Sequence, residues 1–174
     1  MTLLSRLARL HADFCSVAEK LRSPLLLFVR LYWGWQFAQT GWGKLHNLPK
    51  VTEFFASLNI PLPGLNAPFV ASLEFFGGIL LILGLLSRPV ALLLSGSMLV
   101  AFWTAEREAF LAIFSDSEKF YKADAFTFLF AALLILAFGP GLFSLDALIA
   151  RKYKPYMNTK PANARDWGTD AVTG

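Results

Sequence analysis

Residues 68–87 read PFVASLEFFGGILLILGLLS, and Glu74 is the only charged side chain in this stretch. A helix of about 20 apolar residues crosses the ~30 Å hydrocarbon core of a bilayer, so the stretch predicts a membrane helix. Working outward from it, the charge-poor pattern recurs in three more segments. We therefore expect an all-α membrane protein, a four-transmembrane-helix bundle with spans at residues 24–43, 68–87, 89–105 and 124–141.

The composition of the chain supports this class. Of the 174 residues, 56 % are hydrophobic and 16 % are charged, against about 25 % charged in a soluble domain. The single cysteine, Cys15, excludes a disulfide within the chain, a CxxC redox pair and a multi-cysteine zinc site, and two histidines leave little for haem. We expect no metal and no cofactor held by this chain alone. The net charge of +4 sits mostly in the terminal segments, which favours anionic lipid rather than nucleic acid as the partner.

The distribution of basic residues predicts the orientation. Lys and Arg cluster in residues 1–22, at Arg88 and in residues 151–174, whereas residues 106–124 are rich in carboxylates. Positively charged loops remain in the cytoplasm. Both termini are therefore predicted to be cytoplasmic, in the inner (plasma) membrane of a bacterial or archaeal cell.

The chain is expected to have three parts. Residues 1–22 have apolar side chains at helical spacing and predict an amphipathic interfacial helix, with docking on a partner protein as the alternative. Residues 23–150 form the four-helix membrane domain, and residues 151–174 a basic, polar, disordered cytoplasmic tail. Between the first two spans lies a second short amphipathic stretch with Val51, Phe54, Phe55 and Leu58 on one face.

Glycines on two of the spans predict a close helix–helix contact. Steps of three and four residues place them on one face of each helix, and small residues let membrane helices approach closely. The residues expected to pack in this way are Gly34, Gly41, Gly77, Gly78 and Gly84.

Charged residues inside the spans are the candidates for chemistry, because an intramembrane charge is costly. Arg30 and Glu74 lie near opposite ends of their helices and should not touch. Lys44 is instead expected to reach Glu74, which is predicted to handle a proton or to form a structural polar tie between helices. An unpaired Glu74 would take up a proton, because desolvation raises the pKa of a carboxyl group.

Further polar and aromatic residues are candidates for binding a substrate. Each has a bland alternative: Arg30 can extend to lipid phosphates, Trp33 can simply pack, and Trp103 can anchor the helix at the interface. The substrate-binding candidates are Gln36, Gln39, Arg30, Trp33 and Trp103.

These residues resemble the DoxX family of small four-helix membrane proteins over roughly residues 25–150. The features that carry the resemblance are Arg30-x-x-x-Gly34 leading to Gly41-x-x-Lys44, then Glu74 with Gly77-Gly78 and Gly84 ahead of Arg88, and finally Gly139-Pro140-Gly141 leading to Asp146. The resemblance implies a quinone or redox context and a partner protein. The resemblance therefore implies a subunit or accessory of an oxidoreductase complex rather than a self-sufficient enzyme.

Three functions remain open from the sequence. The leading hypothesis is a subunit of a quinone-linked redox complex, with a quinone between the first two spans near Glu74, Lys44 and Gln39. The second is a small proton-coupled transporter or permease that forms a homo-oligomer. The third is a non-catalytic scaffold that places a peripheral or metal-handling enzyme on the membrane.

Overall fold

The computed structural model describes residues 3–157 and contains, within that range, helices and no strands. Four long helices form a bundle, and shorter ones lie at its ends. The helices are α1 (Leu3–His46), α2 (Leu48–Ser57), α3 (Pro63–Leu83), α4 (Ser87–Thr104), α5 (Arg107–Leu111), α6 (Ser117–Lys122), α7 (Asp124–Phe138) and α8 (Leu145–Met157).

The core of the bundle lies where α1, α3, α4 and α7 meet. The largest interface joins α1 to α3, and the next joins α4 to α7. Phe37, Leu81, Leu94, Ala132 and Ile135 are fully buried between them. The prediction of an all-helical fold is confirmed. Each of the four predicted spans overlaps one helix of the bundle, but α3 ends at Leu83 and α7 at Phe138, before the predicted limits of 87 and 141.

The helices differ in how well they suit a membrane. Among the described residues, α3 is the one helix that is both long and apolar enough to cross a membrane, and α7 is apolar but shorter, with 15 residues. Polar side chains such as Gln36 and Gln39 lower the hydropathy of α1. The count of four crossings therefore stays a prediction.

The first helix differs from the expected boundary near residue 22. Residues 3–46 form one continuous helix that runs through Pro24. Proline removes one intrahelical hydrogen bond, but contacts with the segment after α7 hold this region: Arg22 Nη2 donates to the Phe138 carbonyl at 2.6 Å, and the Leu142 amide donates to Ser23 Oγ at 3.4 Å. The interfacial location of residues 1–22 stays a prediction, and residues 1–2 lie outside the described part.

The first residues of the predicted disordered tail are helical. Residues 151–157 belong to α8, which begins at Leu145. Residues 158–174 lie outside the described residues.

The helix that carries Glu74 begins five residues before the predicted start, at Pro63. Proline suits the first turn of a helix, because its missing N–H would have no partner there. Pro68, taken as the start of the span, lies inside the helix instead. Glu74 therefore lies near the middle of α3 rather than near one end.

Glycines allow α1 and α3 to pack backbone against backbone. A Cβ on Gly41 would lie 2.3 Å from the Phe75 nitrogen, and one on Gly78 would lie 2.5 Å from both the Ala38 nitrogen and the Gly34 oxygen. No side chain fits at these distances. Gly77 faces α4 and Gly84 ends α3 with φ +69°, so all five predicted glycines lie at helix contacts or at a turn.

Candidate functional site

A wedge-shaped cavity of about 820 Å³ lies between α2, α3 and α4. Near their connecting turn α3 and α4 are in contact, since a Cβ on Gly77 would lie 3.3 Å from Val90 and from Leu94. Towards the other end the cavity lies between the two helices, and α2, which packs on α3, lines it as well. We call this space the wedge cavity; it is lined by Lys44, Lys50, Val51, Phe54, Phe55, Leu58, Ile60, Pro61, Asn66, Phe69, Val70, Leu73, Glu74, Leu92, Leu93, Gly96, Ser97, Val100, Ala101, Thr104 and Ala105.

The predicted contact between Lys44 and Glu74 is present in the wall of the wedge cavity. Lys44 Nζ lies 2.5 Å from Glu74 Oε1 and joins α1 to α3. The Glu74 side chain is 1 % exposed, whereas that of Lys44 is 33 % exposed. The pair therefore places an ammonium donor and a carboxylate acceptor side by side at the boundary of a largely apolar space.

One oxygen of this pair has no hydrogen-bond partner among the described residues. Glu74 Oε2 is buried, and no protein group donates to it. Buried polar atoms are nearly always paired, because leaving one unpaired costs about 1–3 kcal/mol. Glu74 thus has a free acceptor, and Lys44, with three N–H groups, has donors beyond the one facing Glu74. Lys44, which is one third exposed, can offer these donors to a polar group in the cavity, whereas Glu74 Oε2 is itself shielded.

The structure places Arg30 away from the wedge cavity, in a cage of backbone carbonyls. Its guanidinium is 1 % exposed and donates to the oxygens of Leu81 (2.8 Å), Ile82 (3.0 Å), Pro140 (2.6 Å) and Phe143 (2.9 Å). The first two carbonyls end α3, where a cation is favoured by the helix dipole. The expectation that Arg30 extends to lipid phosphates is wrong, because its donors are already bound to these carbonyls, and its role here is to join α1, the end of α3 and the loop after α7.

Asp146 completes the same junction from the opposite side of the turn. Its carboxylate accepts hydrogen bonds from the amides of Leu86 (2.8 Å) and Ser87 (2.9 Å) at the start of α4, and its own amide donates to the Gly84 oxygen at 2.9 Å. We call this junction, formed by Arg30, residues 81–87 and residues 140–146, the turn clamp.

The other predicted substrate-binding residues do not line the wedge cavity. Gln39 is exposed. It lies five residues from Lys44, which places it about 140° around the helix from that side chain. Gln36 is half-buried on another face of α1. Trp33 packs on Phe128 with ring centres 5.4 Å apart. Trp103 is half-exposed at the end of α4 and packs against Phe110 of α5 with ring centres 5.4 Å apart.

Sequence reasoning missed the contribution of α2 and α4 to the site. Phe54 and Phe55 belong to the short amphipathic stretch predicted between the first two spans, and this stretch lines the wedge cavity. Its apolar spacing was the available signal. Gly96 and Ser97 of α4 gave no such signal, because a glycine–serine pair is ordinary in an apolar helix. Gly96 contributes to the cavity because a Cβ at that position would meet open space.

The loop between α4 and α7 carries a separate charged cluster. Lys119 Nζ lies 2.7 Å from Glu108 Oε2, and Glu106 Oε2 accepts from the Ala125 amide at 3.1 Å, near the start of α7. The hydrogen bond from Lys119 holds the pKa of the exposed Glu108 carboxyl below its ordinary value. These carboxylates therefore have local structural partners.

The low charge content, the all-helical bundle and its apolar exposed surfaces define an all-helical membrane protein. The DoxX family model matches residues 25–107. The chain is also 30 % identical to Inner membrane protein YqjF of Escherichia coli (strain K12) over 139 residues, which cover 78 % of this chain and 99 % of that protein. The chain belongs to the DoxX family. No solved structure matches it.

Proposed function

We propose that the chain is a four-helix, inner-membrane subunit that binds a lipid-soluble quinone in the wedge cavity and supports a quinone-linked redox complex. In this proposal α1, α3, α4 and α7 cross the membrane and both termini face the cytoplasm. Two observations support the membrane location: the relative is named as an inner membrane protein, and the long helices expose apolar side chains such as Phe28, Phe76 and Leu133.

The observation that carries the proposal is the ion pair of Lys44 and Glu74, with one carboxylate oxygen unpaired, in the wall of a largely apolar cavity. Ligand pockets are usually apolar spaces of about 300–1,000 Å³ with a few polar groups that fix the orientation of the ligand. The wedge cavity has this character. The ion pair of Lys44 and Glu74 also suits both redox states of a quinone, because it contains a hydrogen-bond donor and a hydrogen-bond acceptor.

The pair provides one donor and one acceptor for the same polar group of the ligand. The Lys44 ammonium would donate to a quinone carbonyl, and the Glu74 carboxylate would accept from a quinol hydroxyl. The redox chemistry belongs to the quinone when it is bound. The chain contributes orientation, exclusion of water and a carboxylate that can hold a proton, and electrons would come from or go to a partner protein.

The test fills the cavity without disturbing its walls. Gly96 faces open space, so Gly96→Phe places a ring in the wedge cavity, and Gly43→Phe is the matched control because Gly43 also meets open space but does not line the cavity. The protein in lipid nanodiscs is photolabelled with an azidoquinone, and labelled peptides are identified by mass spectrometry.

We expect label on α2, α3 and α4 in the unmodified protein and in Gly43→Phe, and at least tenfold less in Gly96→Phe. Glu74→Gln should also weaken labelling, because the amide cannot replace a carboxylate beside Lys44. Equal labelling of the two phenylalanine variants, with both monodisperse by size exclusion, would overturn the proposal.

A further inference from the structure

The wedge cavity has a side that faces away from the bundle. Three residues of its wall, Phe69 of α3 and Leu93 and Val100 of α4, are each more than half exposed. These apolar side chains line a space that the protein does not close off. In a bundle that crosses a membrane, that outer surface meets lipid tails.

The cavity is much longer than a quinone ring. Its wall along α4 runs from Leu92 to Ala105, which is about 20 Å at 1.5 Å per residue. The ion pair of Lys44 and Glu74 occupies one part of this length, and most of the remaining wall is apolar. A ligand that satisfies the pair with its polar head leaves room for an apolar chain of several carbon atoms.

The end of the wedge cavity away from the α3–α4 turn is covered by an apolar surface. Val51, Phe54, Phe55 and Leu58 of α2 line the cavity together. Lys50, Asn66 and Thr104 also line the cavity, so a polar ligand entering there would meet a few polar side chains beside this apolar face. A membrane-dissolved ligand on the exposed side passes only side chains as apolar as the lipid.

We infer that the wedge cavity opens sideways into the bilayer between α3 and α4, and that its ligand is an amphiphile with a small hydrogen-bonding head and a long alkyl or isoprenoid tail. The head lies at Lys44 and Glu74, and the tail leaves past Phe69 and Val100. This inference rests on the proposed function, because it names the class of ligand and its route to the same site.

The experiment uses two photoreactive quinones with the same alkyl tail, one with an azide on the ring and one with a diazirine at the end of the tail. Both are incorporated in nanodiscs that hold the full chain, and the labelled residues are mapped by mass spectrometry. The inference predicts ring label within the wedge cavity and tail label on the exposed residues of α3 and α4 that border it.

Entry is tested with a matched pair of neighbouring residues. Val100 lines the cavity and is 53 % exposed, whereas Leu99 is 51 % exposed and does not line it. Val100→Trp should slow ring labelling after rapid mixing with quinone-loaded vesicles at least fivefold, and Leu99→Trp should leave the rate unchanged.

The outcomes separate the two proposals. Ring label in the cavity together with tail label confined to α2 overturns the sideways opening but not the quinone site. Ring label in the cavity with equal labelling rates in the two tryptophan variants has the same meaning. Absence of ring label from the cavity overturns the proposed function itself. If Val100→Trp does not fold, the tail-label map on the unmodified protein decides.

Discussion

Replacing Arg30 by methionine tests the turn clamp most directly, because methionine keeps an unbranched side chain and removes every donor. Within the described residues, the carbonyls of Ile82, Pro140 and Phe143 have the guanidinium as their hydrogen-bond donor, whereas Leu81 also accepts from the Gly84 amide. Three carbonyls are thus left without a partner.

An unpaired buried polar group costs about 1–3 kcal/mol. The loop at residues 140–143 lies at the end of the bundle and can admit water, so the low end of that range applies to each carbonyl. We expect Arg30→Met to lower the free energy of unfolding by about 3 kcal/mol. Arg30→Lys should lose less, because an ammonium retains the charge at the end of α3 and some of the donors.

The assay is equilibrium unfolding by sodium dodecyl sulfate in mixed micelles, followed by tryptophan fluorescence. Arg22→Met is the control, because Arg22 lies on the same helix and donates to a carbonyl of the same region, but in an exposed position. Its loss should cost about 1 kcal/mol. Equal destabilisation by the two methionine variants would refute the reasoning that the buried cage holds this end of the bundle.

Further predictions concern two glycines, the Asp146 cap and the Glu108 carboxyl group. Gly41→Ala should prevent close packing of α1 on α3 and lower the unfolding midpoint, whereas Gly96→Ala should raise or preserve it, since a Cβ there meets open space and alanine favours a helix by up to about 1 kcal/mol; thermal scanning of both variants decides this. Asp146→Ala should destabilise by about 0.5–2 kcal/mol, as removal of a helix cap does, and the same detergent titration measures it; an unchanged midpoint would contradict the capping role. Because Lys119 lowers the pKa of Glu108, their contact stabilises the fold above the ordinary pKa of Glu108 and is lost as pH falls through the lowered value. Lys119→Gln should therefore raise the pKa of Glu108 in a carboxyl NMR titration, and an unmoved titration would show that the contact is not populated.

The sequence was sufficient to predict the helices but not all of their limits. Gaps without charge identify long apolar segments, and this information is local, so each predicted span overlaps a helix although three of them extend past its end. Pro24 and Pro68 were taken to mark helix starts, yet both lie inside helices. A single missing hydrogen bond is tolerated when tertiary contacts hold the flanking residues, and the sequence does not display those contacts.

The candidate site was predictable where it depended on periodicity. Lys44 lies on the glycine face of α1 that packs on α3, and its length allows it to reach Glu74. Gln39 was assigned to the same site by depth alone, although its angle around the helix points it elsewhere. The partners of Arg30 were beyond prediction, because they are backbone carbonyls, which every residue has, brought together only by the fold.

The turn clamp also has a consequence for the order in which the molecule assembles. The acceptors of Arg30 lie 51 and 52 residues further along the chain in α3, and 110 and 113 residues further along in the loop after α7. During synthesis from the N-terminus, Arg30 can therefore dock on the second long helix well before its remaining carbonyls exist. The last long helix then packs on a structure whose first two long helices are already joined. A ribosome that stops before residue 140 releases a chain in which Arg30 has only the two acceptors in α3.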